Sequence, residues 1–175
     1  MKRISFFLIL FTILSVGCKK EDNDKIIDGE QELRESNLAF INSDWSFDVT
    51  GDSLKDQIIG LWLSDEVRYQ DTICNECDSL FTWVIESTGT MVKRNNGWGD
   101  HETLYGDWEI DKVKNMIFFS YKVYPSAGSG DNSDNYQIMT DSINIEKLSN
   151  SDLWVSQFID YPPTTKLDIK FDKLK

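Results

Sequence analysis

The chain has 175 residues, with 18 basic side chains against 30 acidic ones, a formal net charge of -12, one histidine and three cysteines. A surface that acidic repels phosphate backbones, which argues against nucleic acid as a partner. The length suits one domain with a substantial core once the N-terminal leader is set aside.

Lys2 and Arg3 precede an apolar run from Ile4 to Val16 that ends at Gly17-Cys18. The run falls short of the roughly 20 apolar residues of a membrane-spanning helix and meets charge at once, so residues 1–17 form a signal peptide. Leu14-Ser15-Val16-Gly17-Cys18 resembles a bacterial lipobox, with Ser15 where Leu is usual. The resemblance implies cleavage before Cys18 and acylation of that cysteine, palmitate included. An ordinary secretory signal with a chance cysteine is the alternative. Lys19-Lys20-Glu21-Asp22-Asn23-Asp24 has no periodicity and is expected to be a solvated tether. Its order resembles the Lys-then-acidic export signal of Bacteroidota lipoproteins, which implies a lipid-anchored protein on the outer face of the outer membrane. A generic spacer is the alternative. Cleavage leaves 158 residues with 16 basic against 30 acidic side chains, so the charge moves from -12 to -14.

Residues 18–52 make up the tether and a poorly defined segment. Asp28-Gly29 interrupts it, and Glu30 to Phe40 has weak helical character. Trp45, Phe47 and Val49 alternate with Ser46 and Asp48, as in a short extra strand. Ser53 with Asp56 three residues later forms a capping-box pattern for a short helix through Leu54, Ile58 and Ile59, ended by Gly60.

From there to the C-terminus the pattern is all-β. Eight strands are expected over Leu61 to Tyr69, Leu80 to Glu86, Thr90 to Arg94, Glu102 to Ile110, Met116 to Tyr124, Tyr136 to Leu148, Leu153 to Asp160 and Thr165 to Lys173. In the last of them Leu167, Ile169 and Phe171 alternate with Lys166, Asp168, Lys170 and Asp172, a ribbon with one wet face. Glu86-Ser87-Thr88-Gly89, Asp111 to Asn115 and Ser149-Asn150-Ser151 are short and polar, as hairpin turns are. Between them fall Gln70 to Ser79, Asn95 to His101, Pro125 to Asn135 and the Tyr161-Pro162-Pro163 corner. In an up-and-down meander consecutive connectors lie at opposite ends, so residues 53–175 are expected to form an eight-stranded antiparallel barrel with a closed floor and a loop-rimmed mouth.

Gly60-Leu61-Trp62 behind a short helix, the Glu86-Ser87-Thr88-Gly89-Thr90 hairpin, Gly106-Asp107-Trp108-Glu109-Ile110 and the stretch from Ile145 to Leu153 together resemble the lipocalin-like family of bacterial lipoproteins. The resemblance covers roughly Ser53 to Lys175. It implies a barrel with a pocket for a small apolar molecule and leaves the occupant open.

Trp83, Tyr105, Trp108, Phe119 and Tyr121 are the aromatic residues expected to meet a small apolar or aromatic ligand, with Trp98, between two glycines of a mouth loop, as a cap. A barrel filled by those same aromatics, in a structural or protein-interaction role, is the rival. Cys74-Asn75-Glu76-Cys77 in the first mouth loop is expected to close a disulfide in an oxidising compartment. Zinc held with His101 and Asp100 is a second reading. Thioredoxin-type redox chemistry lacks its strand-to-helix setting. The acidic loop from Asp131 does not follow calcium-loop grammar, since Tyr136 stands where Gly is required and Ser142 where Glu is. With one histidine, no Gly-x-Ser-x-Gly elbow and no phosphate loop, no catalytic residue and no cofactor is assigned, although carboxylate-only glycoside hydrolysis stays open.

Overall fold

A computed structural model describes residues 21–75, 77, 80–97, 102–124, 136–159 and 165–175, with side chains from residue 31 onward. The described residues divide into two compact units between Glu35 and Ser36. Helix α1 (Glu21–Ile41) ends in the second unit and is followed by α2 (Ser53–Ile58). Nine strands follow: β1 (Gly60–Tyr69), β2 (Thr72–Ile73), β3 (Phe81–Ile85), β4 (Thr90–Asn95), β5 (Thr103–Asp111), β6 (Met116–Val123), β7 (Gln137–Leu148), β8 (Asp152–Ile159) and β9 (Thr165–Lys173). The eight expected strands are present with ends displaced by at most one residue. They run antiparallel in chain order, and β1 pairs with β9 from Trp62↔Lys173 to Tyr69↔Leu167, which closes the barrel. The addition is β2, a two-residue strand folded back on the end of β1.

The floor is built from the short turns. Gly89 turns β3 into β4 with φ +93°, and the Glu86 amide reaches Thr90 O at 2.9 Å. In the next turn Asp111 Oδ1 accepts the amides of Val113 and Lys114, both at 3.0 Å. The third is tied by Ser149 Oγ, which donates to Asp152 Oδ2 at 2.7 Å. Helix α2 plugs this end with Leu54, Ile58 and Ile59 against the core. Its cap lies one residue earlier than the capping-box pattern suggests. Asp52 accepts the amides of Leu54 and Lys55, while Asp56 is already held by the Thr50 amide and hydroxyl, both at 2.7 Å.

Both Gly-x-Trp units have a structural reason. A Cβ on Gly60 would overlap the Lys173 side chain and Lys175 O, and one on Gly106 would overlap Ser120 O, so each glycine marks a close approach of neighbouring strands. Two residues on, each tryptophan points inward near the floor and its indole N–H ties down a floor carbonyl: Trp62 to Ile58 O at 2.7 Å, Trp108 to Glu86 O at 2.9 Å. The lower interior is solidly packed, with Trp62, Phe119, Phe171, Ile85, Met91, Ile117, Ile143 and Leu153 all sealed from solvent.

A second cluster lies outside the barrel, where Phe40, Ile41, Trp45 and Phe47 cover Leu61, Val84 and Val92. The weak helical stretch expected from Glu30 to Phe40 is part of a longer helix that starts at Glu21, inside the expected tether, and runs through the interruption expected at Asp28-Gly29; its last turns are anchored. Arg94, 2% exposed, donates to Asn37 Oδ1 and Ser36 Oγ and lies 4.8 Å over the Phe40 ring. The alternation at Trp45 to Val49 does not make a strand. Trp45 packs edge-on to Phe40, and the Ser46 backbone bonds the β3–β4 turn at Glu86 Oε1 and the Ser87 amide. A turn offers no continuous ladder for a strand to join, so Trp45 and Phe47 are placed by packing while Val49 stays exposed.

Candidate binding site

Along each barrel strand alternate residues face inward. Lys93 on β4, Asp141 on β7 and Gln157 on β8 share the inward parity of Met91, Ile143 and Val155, which puts three polar side chains inside. Lys93 Nζ donates to Asp141 Oδ2 at 2.7 Å and to Gln157 Oε1 at 3.4 Å. It also lies 5.0 Å over the Trp83 ring and 4.9 Å over Phe119, so aromatic faces take the rest of its charge. Burial pulls the Lys93 ammonium below the usual lysine range, against the opposing pull of Asp141. Tyr121 stacks on Phe119 with ring centres 5.0 Å apart and donates its hydroxyl to Asp141 Oδ1 at 3.3 Å. Burial and then the Asp141 charge push its phenol up.

Beside this cluster the wall parts. β5 pairs with β6 only from Asp111↔Met116 to Gly106↔Tyr121, whereas β4 follows β5 as far as Arg94↔Thr103 and β7 follows β6 as far as Val123↔Gln137. Beyond Gly106 the two strands diverge. A cleft of about 510 Å³ occupies the gap, lined by Thr103 to Asp107 on one side and by Ser120, Tyr121, Lys122, Tyr124 and Ile138 on the other. Leu104, Gly106 and Tyr121 have inward parity, and Tyr105, Asp107, Ser120 and Lys122 outward parity. Most of the lining thus faces outward, with Leu104 and Tyr121 contributed from the inner face. Its rim is apolar and wet, with Tyr105, Tyr124 and Ile138 all more than half exposed.

The aromatic residues singled out in the sequence separate into groups. Trp83 and Phe119 flank Lys93 inside, Tyr121 reaches from Asp141 into the cleft, and Tyr105 stands on its outer rim. Trp108 lies apart from the cleft, near the floor. Trp98 lies outside the described residues, as do Cys18, His101 and Asp100. Cys74 and Cys77 are joined as a disulfide with Cα atoms 5.3 Å apart, which leaves no thiolate for zinc. Cys74 N bonds Val67 O and Cys77 packs on the main core, so the bridge fastens the first mouth loop to the barrel.

A second concavity of about 420 Å³ lies on the outer face of β1, β9, β8 and β7. Its charges are engaged with one another or with neighbours: Lys166 bonds Asp168 at 2.8 Å, and Arg68 bonds Glu66 and covers the Trp154 ring. Asp168, on the face expected to be wet, is only 5% exposed beneath that network. No family model matches the chain, and no curated protein matches it. Fold and site together define an eight-stranded antiparallel β-barrel with a packed floor, an interior ion pair and a cleft where β5 parts from β6.

Proposed function

We propose that this chain is a lipid-anchored cell-envelope protein whose lipocalin-like barrel binds a small apolar or aromatic molecule in the β5–β6 cleft. The observation that carries the binding reading is the cleft itself: its volume lies in the range of small-molecule sites, and its lining combines aromatic and aliphatic surface with a few polar groups. The anchor rests on the leader and the Gly17-Cys18 junction. Lys19-Lys20-Glu21-Asp22 supports placement on the outer face of the outer membrane.

Phenylnaphthylamine, a neutral dye that brightens in apolar surroundings, tests the binding reading. The full-length chain is expected to enhance its emission with saturation, and Leu104→Trp, which fills the cleft, to abolish the enhancement. A wild-type chain that leaves the dye dark sinks the proposal. The packed floor then favours the second reading, a filled barrel that meets another protein through the exposed tyrosines of its rim. For the anchor, Cys18→Ser is expected to move the protein out of the membrane fraction, and unchanged fractionation removes that part.

A further inference from the structure

We infer that the concavity on the outer face of β1, β9, β8 and β7 is a second binding site, one that takes a neutral sugar ring set against Trp154 and hydrogen-bonded by the charged side chains around it. It shares no residue with the β5–β6 cleft.

The backbone departs from regular geometry to build this lining. Ile145 pairs with Val155 and Lys147 with Trp154, so Glu146 is the extra residue of a bulge in β7. A regular strand would send one of Glu146 and Lys147 inward, whereas both line the concavity. At the end of β1, Gln70 and Asp71 turn the chain into β2 with φ 49° and 65°. Glycine would turn there more cheaply, and it would take the Asp71 carboxylate out of the lining. Buried groups hold the base: Ser156, 3% exposed, donates to Glu146 Oε1, and Asp168 receives Lys166.

The ligand class follows from charge and from unspent hydrogen-bonding groups. Three cations, Arg68, Lys147 and Lys166, face three anions, Asp71, Glu146 and Asp168, so the lining is neutral in a chain of net charge -12. The ion pairs on this face use only part of its capacity. Arg68 donates to Glu66 through Nε, which leaves its terminal nitrogens, and Glu146 keeps the oxygen that Ser156 does not take. Asp71 and Lys147 engage neighbours by charge alone, Asp71 acting on Lys166 and Lys147 on Asp152. Among the described residues neither side chain makes a hydrogen bond, and neither does the Trp154 indole N–H.

Donors and acceptors thus both remain around one half-buried indole, with no net charge. A sugar ring meets each part of that: its hydroxyls donate and accept, its C–H face suits an aromatic surface, and it is neutral. A plain hydrocarbon would cover the unspent groups and return nothing for the water it displaces. An ion would be drawn by half of the lining and repelled by the other half.

The test is titration of the isotope-labelled full-length chain with the methyl glycosides of glucose, galactose and mannose, followed at the Trp154 indole N–H resonance, which Trp154→Phe assigns by its loss. At least one glycoside is expected to shift that resonance with saturation, with a Kd on the order of 1 mM. Trp154→Ala is expected to weaken that glycoside about tenfold in calorimetry, and Asp71→Asn with Glu146→Gln to weaken it by a similar factor. Methyl glucuronide and glucosamine, sugar rings with a charge of either sign, should bind more weakly than the neutral glycoside. Leu104→Trp, which fills the cleft, should leave glycoside binding unchanged, so this site and the cleft reading stand or fall separately. No saturable shift with any of the three glycosides on the unmodified chain would overturn the proposal. So would tighter binding of either charged sugar, glycoside affinity undiminished in Trp154→Ala, or its loss in Leu104→Trp.

Discussion

The two ends of the barrel obey different rules. At the floor every interior position is filled, the turns are short, and carboxylates or indole N–H groups take up the loose backbone groups. Toward the mouth the interior residues Leu104 and Tyr121 are only partly covered, Val123 and Met139 are open to solvent, and one strand pair lets go. The Lys93–Asp141 pair marks the boundary between them. The contrast places both readings offered by the aromatic content in one small barrel: filled below and open above.

The largest effect should come from emptying the floor. Trp62→Ala removes a fully buried indole and its bond to α2, so a loss of about 4 kcal/mol is expected in urea denaturation. A loss within 1 kcal/mol, taken as a rough limit for surface-like behaviour, would mean that the floor does not carry the fold. At the boundary, Asp141→Leu strands the Lys93 ammonium and should cost about 3 kcal/mol, while adding Lys93→Met should recover most of that. If the double variant is no better than the single, the pair is not an isolated charge balance.

Acid should act on the floor turns. Asp111, chiefly through the Lys114 amide, and Asp152, chiefly through the Ser149 hydroxyl, are held below the ordinary aspartate range. A depressed carboxyl stabilises the fold above its unfolded value, about 3.9, and that contribution fades as pH falls through the folded value. Wild type should therefore exceed Asp111→Asn with Asp152→Asn in stability near neutrality, with the gap closing below about pH 4. A gap that persists to the lowest measurable pH would assign the difference to something other than ionisation. The smallest effect is expected at the rim, where Tyr105→Ala should change stability by less than about 0.5 kcal/mol yet weaken phenylnaphthylamine binding. Loss of stability there without loss of binding would reverse the roles of the two ends.

Strand number, order and turn ends were legible because period-two alternation and polar turn residues are local properties. The parting of β5 from β6 was not, since it depends on where two ladders stop. The interior polar cluster was partly within reach. Continuing the inward parity of Ile145 and Ile143 by one step lands on Asp141, and that of Leu153 and Val155 lands on Gln157. Lys93 was harder to place, because β4 is buried on both faces and Met91 and Val92 give no alternation. Parity also corrects the grouping of Tyr105 with Trp108: three residues apart on one strand, they face opposite sides, and only Trp108 is inside. The cap at Asp52 instead of Ser53 was decided by Thr50, which claims Asp56 first.

Counting strands around the closed sheet gives β1, β3, β4 and β5 on one side and β6 to β9 on the other. The parting at Gly106 and Tyr121 thus lies diametrically across from the β1–β9 join. Mechanically this is a clamshell: two four-stranded valves joined along the β1–β9 ladder, which one register shift at Ser64/Glu66 interrupts, with their lips apart near the mouth. Widening those lips would first break the Gly106↔Tyr121 pairing, the last of the β5–β6 ladder, and leave the hinge and the packed floor undisturbed.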